Sequence, residues 1–226
     1  AGYATEGRQR RFLKGAFRQY LSPDVVEQII ADPGRLKLGG ERRELSIFFS
    51  DIEGFTGISE MMEPEDLAAL MNDYLTPMTD IIQEEGGTVD KYEGDAIIAF
   101  FGAPVEFKDH AERACYAACR MKSLEQELNA RFKETRMSPD PLVTRIGINT
   151  GDMVVGNMGS ARRLAYTVLG SAVNLAHRIQ AQARGGEVVV SEDFYRLVES
   201  ETRVTRKFEV RLKGIQEPVT LYGVGG

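Results

Sequence analysis

Two apolar runs decide the fold, LSIFFSD at residues 45–51 and DAIIAFF at residues 95–101, and each has an aspartate at its edge. Short apolar runs that are rich in aromatic residues and bounded by turn residues predict buried strands. A carboxylate at the edge of a buried strand is costly unless a positive charge pairs with it, and no cluster of Lys or Arg adjoins either run in the sequence. We therefore predict that Asp51 and Asp95 hold a divalent cation such as Mg²⁺, which binds one or two carboxylates together with substrate phosphates. The alternative is that each aspartate is a solvated turn residue.

The composition is that of a soluble globular protein. The chain has 226 residues, of which 42% are hydrophobic and 27% charged, and this length fits one large domain or one domain with an appendage. The net charge of −6 is spread along the chain and gives no indication of nucleic-acid binding. Cys115 and Cys119 are predicted to be structural thiols on one face of a helix. With no apolar run of membrane-spanning length and no signal peptide, we expect a soluble protein of a reducing compartment.

The first forty residues differ from the rest and are predicted to be a helical signalling connector, followed by one domain at residues 41–226. An amphipathic pattern covers residues 12–21, and Ser22 and Pro23 then restart a helix as N-cap and first helical residue. Residues 37–43 look like a Gly-rich basic linker. The other interpretation is an N-terminal helix that packs on its own domain.

The order of predicted elements indicates an α+β fold. After the strand that ends at Asp51 come a helix from Pro64 to residues 86–87, strands at 88–92 and 96–101, a helix at 109–133, and a hairpin of 143–148 with 153–155 around residues 149–152. This is the ferredoxin-like βαββαβ core, with helices on one face of an antiparallel sheet. The C-terminal additions are a strand at 164–168, a helix at 170–183, a strand at 187–190, a helix from Ser191, and a hairpin of 205–211 with 219–222.

Two further elements carry candidate chemistry. Gly54 follows the first strand, and the backbone of residues 54–56 (Gly54, Phe55, Thr56) is predicted to approach phosphate oxygens. In the helix at 170–183, Asn174 and Arg178 are four apart and share a face, where an amide and a guanidinium can hold a ribose and the charge developing on a phosphate. The alternative for that pair is a solvated polar face.

Together these residues resemble a known family. The segments FFSDIEGFT at 48–56, VDKYEGDAI at 89–97 and GSAVNLAHR at 170–178 are similar to three ordered motifs of the class III adenylate/guanylate cyclase catalytic domain, and the resemblance extends from about residue 41 to 222. It implies that Asp51, Asp95 and the Ile52 carbonyl bind two divalent cations, Mg²⁺ or Mn²⁺. It also implies that Asn174 orients the ribose and Arg178 stabilises the transition state, while ATP is converted to cyclic AMP and pyrophosphate.

The same resemblance implies which purine is bound. Lys91 matches a purine-reading lysine, Lys213 matches the lysine that grips the terminal phosphates, and Thr167 stands where the best-known animal enzymes carry an adenine-reading Asp. Thr at this position resembles the bacterial, soluble-type branch, in which it accompanies adenine specificity. A guanylate cyclase would be expected to carry Glu in place of Lys91, so ATP is the predicted substrate. Guanylate cyclase activity and a catalytically silent nucleotide-binding or dimerisation module remain the alternatives.

The resemblance finally implies partners. Family members work as dimers in which the aspartates come from one subunit and the Asn and Arg from the other, so a homodimer of this chain would have two equivalent sites. The expected setting is a cytoplasmic catalytic domain, with an upstream sensor or membrane domain outside this sequence that anchors the full-length protein in the plasma membrane.

Overall fold

The structure, a computed structural model, describes residues 22–32, 34, 38–160 and 162–225. The predicted amphipathic helix at 12–21 lies outside these residues. The helix that restarts after Ser22 is present as α1 (Pro23–Ala31), although the Ser22 side chain makes no capping hydrogen bond. Val25 and Val26 are buried, and Gln28 Nε2 donates to the carbonyl of Pro104 at 3.0 Å. This helix therefore packs on the domain that follows it.

The predicted βαββαβ order is confirmed, as is the α+β class. After α1 the elements are β1 (Gly39–Ile52), α2 (Phe55–Glu60), α3 (Pro64–Glu84), β2 (Gly87–Glu93), β3 (Ala96–Phe101), α4 (His110–Thr135), β4 (Thr144–Ser160), β5 (Arg163–Leu169), α5 (Ser171–Gln180), β6 (Val188–Ser191), α6 (Glu192–Val198), β7 (Arg203–Val210) and β8 (Val219–Gly225). The sheet has the order β2-β3-β1-β4-β6-β8-β7, with β5 paired to β4. Its strand pairs are antiparallel except β4 with β6.

The two faces of β1 build two different cores, because successive side chains of a strand point to opposite faces. Phe48 and Ile52 pack in the larger cluster, which includes residues of α3, α4 and α6. Leu45 and Ile47 pack in a second cluster with Ala176 of α5. The expectation of helices on one face thus holds for α3 and α4, while α5 covers the opposite face. That placement puts α5 on the same side of the sheet as Asp51, because Ile47, Phe49 and Asp51 are at every second position of β1 and share one face.

Two sequence predictions were wrong, and they fail together. Residues 149–152 do not form a hairpin turn but continue β4 without a break, and residues 39–43 are not a linker but the first part of β1. These segments are partners, since Gly40 lies opposite Gly156 and Arg43 opposite Met153. The hairpin that β4 does form is with β5, where Thr167 lies opposite Gly156. Each segment looked irregular alone because its pairing partner lies more than a hundred residues away.

The longest helix, α4, is a core helix. Its two cysteines form no disulfide and behave as predicted, with Cys115 buried in the larger cluster and Cys119 packed against it. A hydrogen bond with Cys119, together with burial, raises the pKa of the Cys115 thiol well above its ordinary value. Across the described ranges, no helix combines the length and apolar character needed to cross a bilayer.

Candidate active site

Asp51 and Asp95 are brought together where β1 ends and β3 begins. Asp95 Oδ2 accepts a hydrogen bond from the backbone N–H of Ile52 at 2.7 Å, which ties the residue after Asp51 directly to Asp95. Burial raises the pKa of the Asp95 carboxyl; the Ile52 bond opposes this rise, and the negative charge of Asp51 adds to it. The two carboxylates are therefore close enough to repel each other, which is the arrangement that a shared cation would relieve.

A basic side chain that the sequence argument missed already pairs with Asp51. Arg145 lies opposite Asp51 in the register of β1 and β4, and its Nε and Nη2 donate to Asp51 Oδ1 and Oδ2 at 2.9 and 2.8 Å. The two residues are 94 positions apart, so proximity in sequence gave no signal of this pair. The argument that no Arg or Lys neutralises the aspartates was therefore incomplete. Asp51 pairs with a charged side chain, whereas Asp95 accepts a hydrogen bond from a backbone N–H.

The donor set fits a cation that also needs ligands from a substrate. Within the part of the chain that the structure describes, no three His, Cys, Asp or Glu side chains converge on one point. Asp51, Asp95 and the Ile52 carbonyl are hard oxygen donors, and Mg²⁺ commonly binds through one or two carboxylates plus phosphates and water. The residues present therefore fit divalent cations that arrive with a phosphorylated ligand.

The turn after β1 has the geometry that its glycine predicts. Gly54 has a φ of 69°, a left-handed conformation that glycine adopts without steric cost, and it begins the short helix α2. Phe55 is partly buried against the larger cluster, while Thr56 is exposed. The turn thus stands beside Asp51, where the sequence places a phosphate contact.

Helix α5 is held against β4 and β1 by unusually close packing. A Cβ on Gly147 of β4 would lie 2.3 Å from the backbone nitrogen of Gln180, so only glycine permits this approach. At the other end of the helix, Asn149 Nδ2 donates to the carbonyl of Ala172 at 2.9 Å. The rings of Phe49 and His177 stack with centroids 5.3 Å apart. These contacts fix the helix that carries Asn174, which is exposed, and Arg178, which is half-buried.

The loop that carries Lys213 reaches the end of α5. Leu212 is buried in a small cluster with Ile179, which anchors the loop on the helix. Gly214 has a φ of 76°, and a Cβ there would lie 3.6 Å from Arg178 Nη2. Lys213 itself is exposed. The structure therefore places the loop that carries Lys213 against Arg178, through Gly214.

Lys91 and Thr167 meet at a third residue, Asp90. Thr167 Oγ1 donates to Asp90 Oδ2 at 2.9 Å, and Lys91 Nζ lies 3.3 Å from the same oxygen. The contact is possible because the β4–β5 hairpin reaches back towards β2 and β3, where Tyr166 also packs on Phe100 with ring centroids 6.1 Å apart. Asp90 was not predicted as a site residue, although it stands inside the motif at 89–97. Through Asp90 the structure brings Lys91 and Thr167, the two residues predicted to read the purine, to one place.

The predicted residues form separate groups on one chain. Among the described residues, no hydrogen bond or ion pair joins Asp51 or Asp95 to Asn174, Arg178 or Lys213. A cavity of about 400 Å³ beneath α1 contains none of them and is lined instead by residues such as Val25, Gly40 and Tyr166.

Comparison with known proteins gives a consistent picture. Residues 40–226 match the family model described as adenylate and guanylate cyclase catalytic domain. The chain is 32% identical over 221 residues to an adenylate cyclase of Anabaena cylindrica, covering 95% of this chain but 42% of that protein's length. It is similar to the crystal structure of the guanylyl cyclase Cya2 (TM-score 0.80, 38% identity, 84% of this chain and 95% of that one). It is also similar to the adenylyl cyclase CyaB from P. aeruginosa (TM-score 0.79, 37% identity, 84% and 97%).

Proposed function

Because this chain belongs to the family of adenylate and guanylate cyclase catalytic domains, we propose that it is an adenylate cyclase, which converts ATP to 3′,5′-cyclic AMP and pyrophosphate at a homodimer interface. The single observation that carries the choice of ATP is the meeting of Lys91 and Thr167 at Asp90. An ammonium donates to the ring N1 of adenine, and a hydroxyl oxygen accepts from its 6-amino group. The adenylate cyclase from Anabaena cylindrica among the relatives supports the same choice.

The reaction assigns a task to each group of residues. The 3′-hydroxyl oxygen of the ribose attacks the α-phosphorus and its proton passes to solvent, the bond from that phosphorus to the bridging oxygen breaks, and pyrophosphate leaves. Asn174 orients the ribose, and the guanidinium of Arg178 stabilises negative charge that develops on the phosphoryl oxygens. Lys213 holds the terminal phosphates, with the backbone of Gly54, Phe55 and Thr56 as further donors. The proximity of Gly214 to Arg178 supports a common target for Lys213 and Arg178.

Asp51, Asp95 and the Ile52 carbonyl would hold two divalent cations, Mg²⁺ or Mn²⁺. When bound, such ions lower the pKa of an attacking hydroxyl and neutralise phosphate charge. A cation at Asp51 would compete with Arg145, whose Nε and Nη2 already donate to both carboxylate oxygens. If Arg145 gave up part of that pair, its guanidinium could bind a phosphate instead, because Arg forms two-bond pairs with phosphate as well as with carboxylate.

A homodimer reconciles these roles with the arrangement in one chain. Asp51 and Asp95 of one subunit would face Asn174, Arg178, Lys213, Lys91 and Thr167 of the other, so the two-fold axis generates two equivalent sites. The absence of any described bond between the two sets within one chain supports this division.

Cyclic nucleotide production from ATP and from GTP, each with Mn²⁺ or Mg²⁺, tests the proposal. We expect cyclic AMP to predominate, and Asp51→Asn and Asp95→Asn to lose turnover by at least about a hundredfold. Asp152→Asn is the matched control, because this exposed β4 carboxylate pairs with Arg42 and belongs to no proposed site. No cyclic product from either nucleotide would overturn the enzyme assignment and favour a silent module.

Guanylate cyclase activity is the second candidate, and the similarity to Cya2 favours it. Predominant cyclic GMP would establish it and would show that Lys91 and Thr167 do not select adenine.

We also propose that residues 1–40 connect the domain to an upstream sensor or membrane-anchoring domain, since the chain spans less than half of its Anabaena relative. Deletion of residues 1–38 removes α1 and its bond to Pro104, and we expect altered activity or dimerisation. If both are unchanged, these residues transmit nothing.

A further inference from the structure

The carboxylate of Asp90 is a buried acceptor shared by two side chains. Its side chain is 4% exposed, and one oxygen, Oδ2, receives Thr167 Oγ1 at 2.9 Å and lies 3.3 Å from Lys91 Nζ. Burial raises the pKa of the Asp90 carboxyl, and the bond from Thr167 and the charge of Lys91 both oppose that rise. A carboxylate placed so deeply is costly unless its bonds are needed.

An irregularity in β2 explains how Asp90 and Lys91 act at one point. The pairing of β2 with β3 runs from Val89 opposite Ala99 to Lys91 opposite Ile98, so Asp90 is left out of the register. In a regular strand, neighbouring side chains point to opposite faces. A bulge re-aims one side chain, and here it allows two neighbouring residues to form an ion pair beneath β5.

Donors and acceptors can be assigned to Asp90, Thr167 and Lys91 in one consistent way. An ionised carboxylate only accepts and an ammonium only donates, so the hydroxyl proton of Thr167 is committed to Asp90. The Thr167 oxygen can then only accept a hydrogen bond from a ligand, and the Lys91 ammonium can only donate one. Adenine presents a 6-amino donor next to an acceptor nitrogen, whereas guanine presents an O6 acceptor at the same place.

From this arrangement we propose that Asp90 is the positioning residue that selects adenine, because it holds the Thr167 hydroxyl as a hydrogen-bond acceptor. The proposal rests on the proposed function and deepens it, since Thr167 alone can donate or accept and would tolerate either purine. Asp90 does not touch the nucleotide, and it acts through Thr167.

The test compares three nucleotides that differ at position 6: ATP, purine riboside triphosphate, which lacks the amino group, and inosine triphosphate, which has a 6-oxo group. The measured quantity is the ratio of kcat/KM between them. A general structural defect lowers all three values and cancels in the ratio. For the wild type we expect ATP to be preferred over both analogues.

Two substitutions separate the acceptor from the charge. Asp90→Leu removes the acceptor, and we expect the preference for ATP over inosine triphosphate to fall about tenfold, the value of one hydrogen bond to a buried partner. Asp90→Asn keeps an oxygen, which must face Thr167 and Lys91 because Lys91 can only donate, and should retain most of the preference. Asp90→Ala replaces Asp90→Leu if circular dichroism shows that the latter does not fold.

A double-mutant cycle shows whether Asp90 acts through Thr167. Thr167→Val should lose the preference by itself, and Asp90→Leu should then change the ratio no further. The proposal is overturned if Asp90→Leu keeps the wild-type ratio, or if it shifts the ratio equally in both backgrounds. If the wild type forms no cyclic product, the proposed function has failed. The same three triphosphates are then compared by equilibrium binding, in which the predicted loss of preference in Asp90→Leu still decides the role of Asp90.

Discussion

At Asp51 a guanidinium already pairs with the carboxylate to which we propose that a cation binds. The Arg145–Asp51 pair has two hydrogen bonds, and each side chain is only about a quarter exposed, so solvent screens it partially. The pair keeps the Asp51 carboxylate oriented, and the positive charge of Arg145 offsets the repulsion between Asp51 and Asp95. We therefore expect the proposed binding of a cation at Asp51 to be an exchange of partners.

Replacement of Arg145 is therefore expected to have opposite effects with and without metal. Arg145→Met should lower the Tm of the metal-free protein by a few degrees, because a loss of about 1 kcal/mol shifts a chain of this size by about 2–4 °C. Mn²⁺ should raise the Tm of this variant more than that of the wild type, since no guanidinium has to be displaced.

Differential scanning fluorimetry with and without Mn²⁺ measures both effects. Arg131→Met removes an exposed pair with Asp73 and serves as the control. Equal Mn²⁺ shifts in wild type and Arg145→Met would show that the two do not compete.

His110 gives stability a dependence on pH. Its Nδ1 lies 2.9 Å from Ser46 Oγ, which also contacts Thr150 Oγ1 at 2.7 Å, and all three residues are buried. Burial lowers the pKa of His110, against the charges of Glu44 and Asp109. The unfolded chain takes up a proton as the pH falls through about 6.5 and the folded chain resists it, so stability is lost below that pH by at most about 1.4 kcal/mol per unit.

The Tm of the wild type should consequently fall more steeply between about pH 6.5 and 5 than that of His110→Asn, which cannot take up this proton. Parallel curves for wild type and His110→Asn would show that other groups dominate acid instability.

At the scale of elements, the position of α5 depends on a missing side chain. Gly147→Ala places a methyl group 2.3 Å from the Gln180 nitrogen, and either the helix or the strand has to move. Overpacking of this kind costs about 1–3 kcal/mol, and we expect turnover to fall further than stability because the helix carries Asn174 and Arg178.

Urea unfolding and a kinetic assay on the same preparation check this prediction. Gly225→Ala is the control within the same sheet, since its methyl group would meet Thr205 Cγ2 at an ordinary 3.5 Å. Full activity in Gly147→Ala would mean that α5 tolerates displacement.

The elements also show what the sequence could and could not predict. The runs at 45–51 and 95–101 were recognisable because burial and period are local properties, and the helices α3 and α4 because their apolar faces repeat along the chain. The Gly-rich residues 39–43 and the polar residues 149–152 were misread, because only their pairing across the sheet makes them strands. The same limit hid Arg145, which is defined by its register against Asp51.

At the scale of the whole molecule, one chain carries two sets of groups that the proposed reaction needs together. We predict that a mixture of Asp51→Asn and Arg178→Ala chains regains about a quarter of wild-type activity. Half of randomly exchanged dimers are then heterodimers, and each has one intact site of two.

Mixing Asp51→Asn with Asp95→Asn is the control that should stay inactive, because both changes affect the same set and leave each heterodimer site with one defect. Activity is measured after subunit exchange, with heterodimer formation verified by differential tags. No recovery from verified Asp51→Asn/Arg178→Ala heterodimers would contradict a shared site.

The Arg145–Asp51 pair has one more consequence, which concerns the order in which ligands saturate the protein. A cation that displaces Arg145 leaves its guanidinium unpaired and able to bind an anion. A triphosphate that binds Arg145 leaves the Asp51 carboxylate unpaired and able to bind a cation. Each ligand therefore removes a cost that the other would otherwise meet, and thermodynamic reciprocity requires the two affinities to rise by the same factor. We therefore expect the apparent affinity for the cation to rise with nucleotide concentration, and the apparent affinity for the nucleotide to rise with cation concentration.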